Sequence, residues 1–249
     1  MIFKEHENKE LPAVILLHGG GLSYWSLSGV IDLLMEKYHV VTPVIDGHSG
    51  SGSEFSSIED SAHKLIEYIE NYHNGKVFAV GGLSIGAQIA AEALSLREEI
   101  AKFAILESAL VMPIKGTKAL TVPMVKLSYG LIKYKWFSVM QAKTLFIKPE
   151  NFNQYYDDSL KISKQSLTNI ILSNGTYSLK SGIEKTKAKV LIITGEKEIG
   201  LIKKSAKLLN EKIPASEIFI AKKMGHGELS MTRPNEYAEI VMNFINKTG

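Results

Sequence analysis

No cysteine occurs among the 249 residues. That excludes disulfides, thiolate metal sites and a thiol nucleophile, and it fits a reducing compartment. Long apolar runs are missing too. Stretches such as Ala13 to Leu17 fall far short of the roughly 20 residues that a membrane-spanning helix needs, so no span is expected. The opening MIFKEHENKE is charged and lacks the apolar centre of a secretory signal, so the expected location is cytoplasmic. No run of five basic residues occurs and the net charge is only +3, which argues against a nucleic-acid partner.

What is present is the make-up of a globular chain, 45% hydrophobic and 22% charged, and long enough for one α/β domain with an insertion. Short runs rich in Val and Ile recur: AVILL (13 to 17), HVVTPVI (39 to 45), VFAVGG (77 to 82), FAIL (103 to 106), VLIIT (190 to 194) and EIFIA (217 to 221). Runs apolar at every position are the mark of strands covered on both faces, as in a parallel sheet. Helical patterns separate them. In residues 57 to 72, Ile58, Ala62, Leu65, Ile69 and Tyr72 share a stripe, Ser56 and Glu59 stand at capping-box spacing, and Gly75 lies just past the end. Repeated strand and helix predict a mostly parallel, doubly wound α/β sheet.

The alternation stops near Val111 and resumes at VLIIT. Residues 111–184 are therefore expected to form an inserted helical cap, with 1–110 and 185–249 as the core. From Lys115 to Lys180 ten lysines face only Glu150, Asp157 and Asp158. Met112, Met124, Tyr129, Tyr134, Trp136, Phe137, Met140, Phe146, Tyr155 and Tyr156 supply apolar surface, either for a ligand pocket or for the packing of the insertion itself.

The decisive stretch is VFAVGGLSIGAQIAAEA (77 to 93), in which a buried strand runs through Gly82-Leu83-Ser84-Ile85-Gly86 into an alanine-rich helix. This is the setting of a nucleophile elbow, where small residues two before and two after the serine relieve a strained turn. There Ser84 is the expected nucleophile, and the Ile85 amide, at the start of the helix, the expected oxyanion donor. His18-Gly19-Gly20-Gly21 follows the first long strand, and Gly20 is the expected second donor. A dinucleotide loop is the competing reading of these glycines, but GGGLSY ends in Tyr24 where the third glycine of G-x-G-x-x-G would stand. Neither a metal nor an organic cofactor is expected.

A serine hydroxyl needs a base. Among seven histidines, His226 stands out, in Lys223-Met224-Gly225-His226-Gly227-Glu228 between the last strand and the terminal helix. Loops leaving the carboxyl ends of strands converge on the site in open α/β sheets. His18 reads as a loop-holding residue and His48 as a solvated turn residue. Glu196 and Glu198 follow VLIIT and are both candidates for the acid, with Glu107 a third. The order Ser, acid, His is that of α/β hydrolases rather than of chymotrypsin-like or subtilisin-like chains.

LLHGGGLSYW, DGHSGSG, GGLSIGA, ITGEKE and MGHGELSMTRPNEYAEIVMNFI together resemble the α/β-hydrolase superfamily over nearly the whole chain, in its capped group of esterases, thioesterases and C–C bond hydrolases. The resemblance implies the α/β-hydrolase fold. It also puts Glu198, at the fourth position of Gly195-Glu196-Lys197-Glu198, in the acid's place, and makes Asp46 structural. Two departures stand out: glutamate replaces the commoner aspartate, and the short stretch before AVILL leaves the usual N-terminal hairpin shortened or lost. The expected reaction is hydrolysis of a carboxylic ester or thioester of a small apolar acyl group through an acyl-enzyme. A triad-based C–C hydrolase or lyase, or a small-molecule sensor with a vestigial triad, is the alternative.

Overall fold

The apolar runs place both of their faces in the interior. In Ala13–Leu17, Ile15 and Leu17 join one buried cluster while Val14 and Leu16 join a second on the opposite face. The computed structural model describes residues 1–6 and 8–248. Its sheet has seven strands: β1 (Ile2–Glu5), β2 (Ala13–Leu17), β3 (His39–Val44), β4 (Val77–Leu83), β5 (Ala101–Glu107), β6 (Lys189–Gly195) and β7 (Ser216–Ala221). They lie in the order β1-β3-β2-β4-β5-β6-β7, and every pairing is parallel except that of β1 with β3. The six strands expected from the sequence are all present. The edge strand β1 was not legible, because its alternating IFKE pattern is largely exposed.

Helices cover both faces. Packed with the first cluster are α2 (Ile58–Tyr72), α3 (Ile85–Leu96) and α8 (Gly200–Lys212); packed with the second are α1 (Ser28–Leu34) and α10 (Pro234–Thr248). A short α9 (Glu228–Thr232) precedes α10. Between β5 and β6 the chain is helical: α4 (Thr117–Ser128), α5 (Lys135–Thr144), α6 (Phe152–Ser159) and α7 (Lys164–Thr176), joined by 3-10 turns. Among the described residues no helix is long and apolar enough to cross a membrane.

Two local expectations are corrected. The N-cap of α2 is Ser57, whose hydroxyl accepts the Asp60 N–H at 3.0 Å, and not Ser56. Ser57 has the extended backbone that lets its oxygen reach the third helical amide. Tyr72, at the end of the expected stripe, is exposed, because it is the last residue of the helix and its ring, 4.9 Å from that of buried Tyr68, stays outside the cluster.

The sheet register brings the strand ends into line. Leu17 pairs with Gly82, Gly82 with Leu106, Leu106 with Ile192 and Ile192 with Ile218, so five parallel strands end at the same edge of the sheet, β6 and β7 reaching furthest. Phe103 anchors the second cluster, fully buried against Phe78 and Phe244 at ring distances of 5.2 and 6.0 Å. Phe103→Ala is expected to lower unfolding free energy by about 3–5 kcal/mol in urea titration. Tyr72→Ala should stay within about 0.5 kcal/mol, and a larger loss there would mean that the ring packs against the core after all.

Candidate active site

The turn after β4 is shaped by a backbone contact that leaves no room for side chains. Ser84 sits at φ 55 and ψ −114, outside the range that non-glycine residues prefer. It is held there by its own N–H donating to Glu107 O at 2.9 Å and by Gln88 N–H donating to its carbonyl at 3.0 Å. A methyl group on Gly82 would lie 2.4 Å from the Gly86 carbonyl carbon, and one on Gly86 would lie 2.5 Å from Leu17 O. Both glycines are therefore obligatory. The turn leaves Ser84 partly exposed at the first residue before α3, whose leading N–H, that of Ile85, has no acceptor within the helix.

Loops from the carboxyl ends of the strands meet this serine. His226 Nε2 accepts the Ser84 hydroxyl at 3.0 Å, and His226 Nδ1–H donates to Glu198 Oε2 at 2.9 Å. The histidine is 44% exposed at its side chain and the glutamate 1%. A methyl group on Gly195 would lie 2.4 Å from Met224 O, so glycine there lets the loop bearing His226 close onto the loop bearing Glu198. Lys197 N–H donates to Met224 O at 2.8 Å across the same junction.

Of the three candidate acids, only Glu198 is brought to His226. Glu196 is exposed and accepts the Lys223 N–H at 2.8 Å, which ties down the far side of the histidine loop. Glu107 is buried beneath the site and accepts the Ser230 N–H at 3.3 Å. Burial pushes its carboxyl up to about 7, with the Glu198 charge raising it further and Ser230 and His226 opposing.

The glycine loop is braced by two histidines. His18 accepts the Ile45 N–H on Nε2 at 3.1 Å and donates from Nδ1 to Gly19 O at 2.9 Å; burial lowers it to about 3, so the ring stays neutral. This is the loop-holding role expected of it. His48 is a correction: it is buried rather than solvated, accepts the Gly21 N–H on Nε2 at 3.0 Å and donates from Nδ1 to the carbonyls of Ile45 and Asp46. Gly47, which could carry no side chain against Phe55, turns the chain so that the ring folds inward. The Gly20 backbone lies beside the turn, since a methyl group there would come within 3.7 Å of Ile85 Cγ2.

Sequence reasoning also missed Ser108. Its hydroxyl donates to Glu198 Oε1 and accepts the Gly227 N–H at 3.1 Å, so one side chain links Glu198 to the residue after His226. The signal for it is faint, a small polar residue directly after Glu107 at the end of the strand. Of the ten residues expected to line a pocket or pack the insertion, Tyr155 is buried, Phe146 packs with Leu22, Leu83 and Met231 beside the site, and Met124, Tyr134, Trp136 and Met140 face solvent. A polar cleft of about 270 Å³ lies along the Gly47–Glu54 turn with Lys161, Ser163 and Ser166, and neither Ser84 nor His226 lines it.

The model of the alpha/beta hydrolase family matches residues 14–240. No curated protein matches in sequence. Solved structures similar to this chain include an alpha/beta hydrolase family protein from Desulfitobacterium hafniense, at 21% identity and a TM-score of 0.79, covering 98% of this chain and 100% of that one. The enol-lactonase of Burkholderia xenovorans is similar at 13% identity and 0.81, covering 98% and 96%. A carboxylesterase structure from Nitrososphaera gargenis is similar at 18% identity and 0.80, covering 100% and 96%.

Two outcomes check the geometry. Gly86→Ala should destabilise the fold by several degrees in Tm, because the methyl group meets backbone rather than a movable side chain. Glu107 gives a pH test. Its folded pKa is raised, so the stability of the protonated form is complete below about 4.5 and is lost as pH rises through about 7. Relative to Glu107→Gln, the wild type should lose roughly 3 kcal/mol between pH 4.5 and 8. Thermal unfolding of both proteins reads this directly, and a wild type that gains on the variant as pH rises would contradict it.

Proposed function

The chain belongs to the alpha/beta hydrolase family and is an enzyme of the hydrolase type; from that premise we propose that it hydrolyses a carboxylic ester or thioester of a small apolar acyl group through an acyl-enzyme on Ser84. The observation that carries this reading is the unbroken hydrogen-bonded run from Ser84 Oγ through the His226 ring to Glu198. Ser84 attacks the carbonyl carbon while His226 Nε2 takes its proton. The imidazolium that forms is stabilised by Glu198, which also holds the ring in the tautomer with Nδ1 protonated. His226 then returns the proton to the leaving group, and a water activated by the same ring releases the acid.

The N–H groups of Ile85 and Gly20 are the proposed oxyanion donors. Supporting Gly20 over its neighbour is that the Gly21 N–H is already committed to His48. Ser108 is a positioning residue: it accepts one N–H of the histidine loop and fixes the second oxygen of Glu198. The extra methylene of glutamate is thus taken up without loosening the contact with His226.

Residues 111–184 are proposed to be a cap over the strands' carboxyl ends that selects the acyl group. Supporting this, Ile170 of α7 stands over Gly20, Trp25 Nε1–H donates to Asp158 Oδ2 of α6 at 2.8 Å, and Phe146 joins the apolar cluster of Leu22, Leu83 and Met231 beside the nucleophile. That cluster favours an apolar acyl chain over a charged one.

Ser84→Ala should lower kcat for a short p-nitrophenyl ester by about 10⁴-fold while leaving Tm near the wild-type value. Retention of a tenth of the activity would remove Ser84 from the role. Among the acids the expected order of damage is Glu198→Gln far above Glu196→Gln and Glu107→Gln. Ser108→Ala should cost about tenfold, the worth of one hydrogen bond to a charged group. A greater loss at Glu107 than at Glu198 would reassign the acid to the end of β5.

A further inference from the structure

The insertion carries an outward surface that the proposed reaction does not use. Helix α4 is anchored through buried Thr121 and Val125, yet Leu120, Met124 and Leu127, spaced on one stripe, face water, Leu127 at 87% exposure. Helix α5 repeats the arrangement. Ser138 and Ala142 are buried, and Trp136, Val139 and Met140 project from the opposite side, Trp136 at 61% exposure. Amphipathic helices ordinarily bury such a stripe, and exposed apolar stripes on two successive helices mark a contact with something outside the chain.

Charge says what that contact is. Between residues 108 and 149 there are seven lysines and not one aspartate or glutamate. Lys126, Lys133 and Lys143 are exposed among the apolar residues, with stems long enough to lie along an apolar surface while the ammonium groups remain in a polar layer. A protein partner would need an acidic rim around an apolar centre. An anionic lipid surface supplies both at once, headgroups for the lysines and acyl boundary for Trp136, Leu127 and Met140. We infer that α4 and α5 are the face by which the protein docks, peripherally, on anionic membranes. This inference does not rest on the catalytic reading of Ser84.

The test is flotation of the wild-type protein with vesicles of phosphatidylcholine alone or mixed with phosphatidylglycerol. Expected is binding to the anionic vesicles at least about tenfold tighter than to neutral ones, weakened in high salt. Trp136→Ser with Leu127→Ser, and separately Lys126→Gln with Lys143→Gln, should each reduce it several-fold while hydrolysis of a soluble ester stays unchanged. The lysine variant changes only exposed residues, so it keeps the test readable if the apolar variant folds poorly. Three results would overturn the inference: no flotation with anionic vesicles, equal flotation with neutral ones, or a dimer in vesicle-free solution that Trp136→Ser dissociates. The last would assign the surface to a second copy of the chain.

Discussion

The backbone of Gly86 lies against the carbonyl oxygens of Leu17 and His18 more closely than any side chain permits, and the arrangement around Ser84 depends on that approach. It brings the start of α3 onto the end of β2, so that the serine's turn and the glycine loop become neighbours. The parallel register does the rest, because it delivers the loops after β5, β6 and β7 to the same edge. Ser84 holds its position at an unfavourable φ, offset by hydrogen bonds from the turn to β5 and within α3.

Electrostatics divides the two buried glutamates near the site. Glu198 has hydrogen bonds to both oxygens, from Ser108 and from His226, as a carboxylate requires when it is shielded from water. Glu107 meets Ser230 through a long contact with its backbone amide and has a carboxyl pushed up by burial, the condition of a group whose neutral form is favoured. Of the two, Glu198 alone is hydrogen-bonded to the His226 ring, while Glu107 beneath it resists charging.

Six strands were legible because a parallel sheet buried on both faces writes continuous apolar runs, and Ser84 and His226 because each combines a chemistry-bearing residue with glycines at a strand's end. Glu198 needed more. Residue type left Glu196 equal to it, and only the family resemblance, and then the partners they meet, His226 for Glu198 and the Lys223 amide for Glu196, separate them. Ser108 and His48 were not legible in their roles, since a serine after a strand and a histidine in a glycine-rich turn are both ordinary in solvated loops. What makes them structural is tertiary, the Gly227 and Gly21 amides that come to them from distant segments. The same holds for Trp136 and Met140, where apolar composition suggested an interior and the packing faces of α4 and α5 left them outside.

Whether Ser84 is a nucleophile activated by His226 is read most directly by treating the protein with a fluorophosphonate and locating the adduct by mass spectrometry of the digest. One adduct is predicted, on the peptide carrying Ser84, forming at least about a hundredfold more slowly in a folded His226→Ala protein because the base is gone. Labelling of another residue, or labelling of Ser84 at an undiminished rate without His226, would contradict that role.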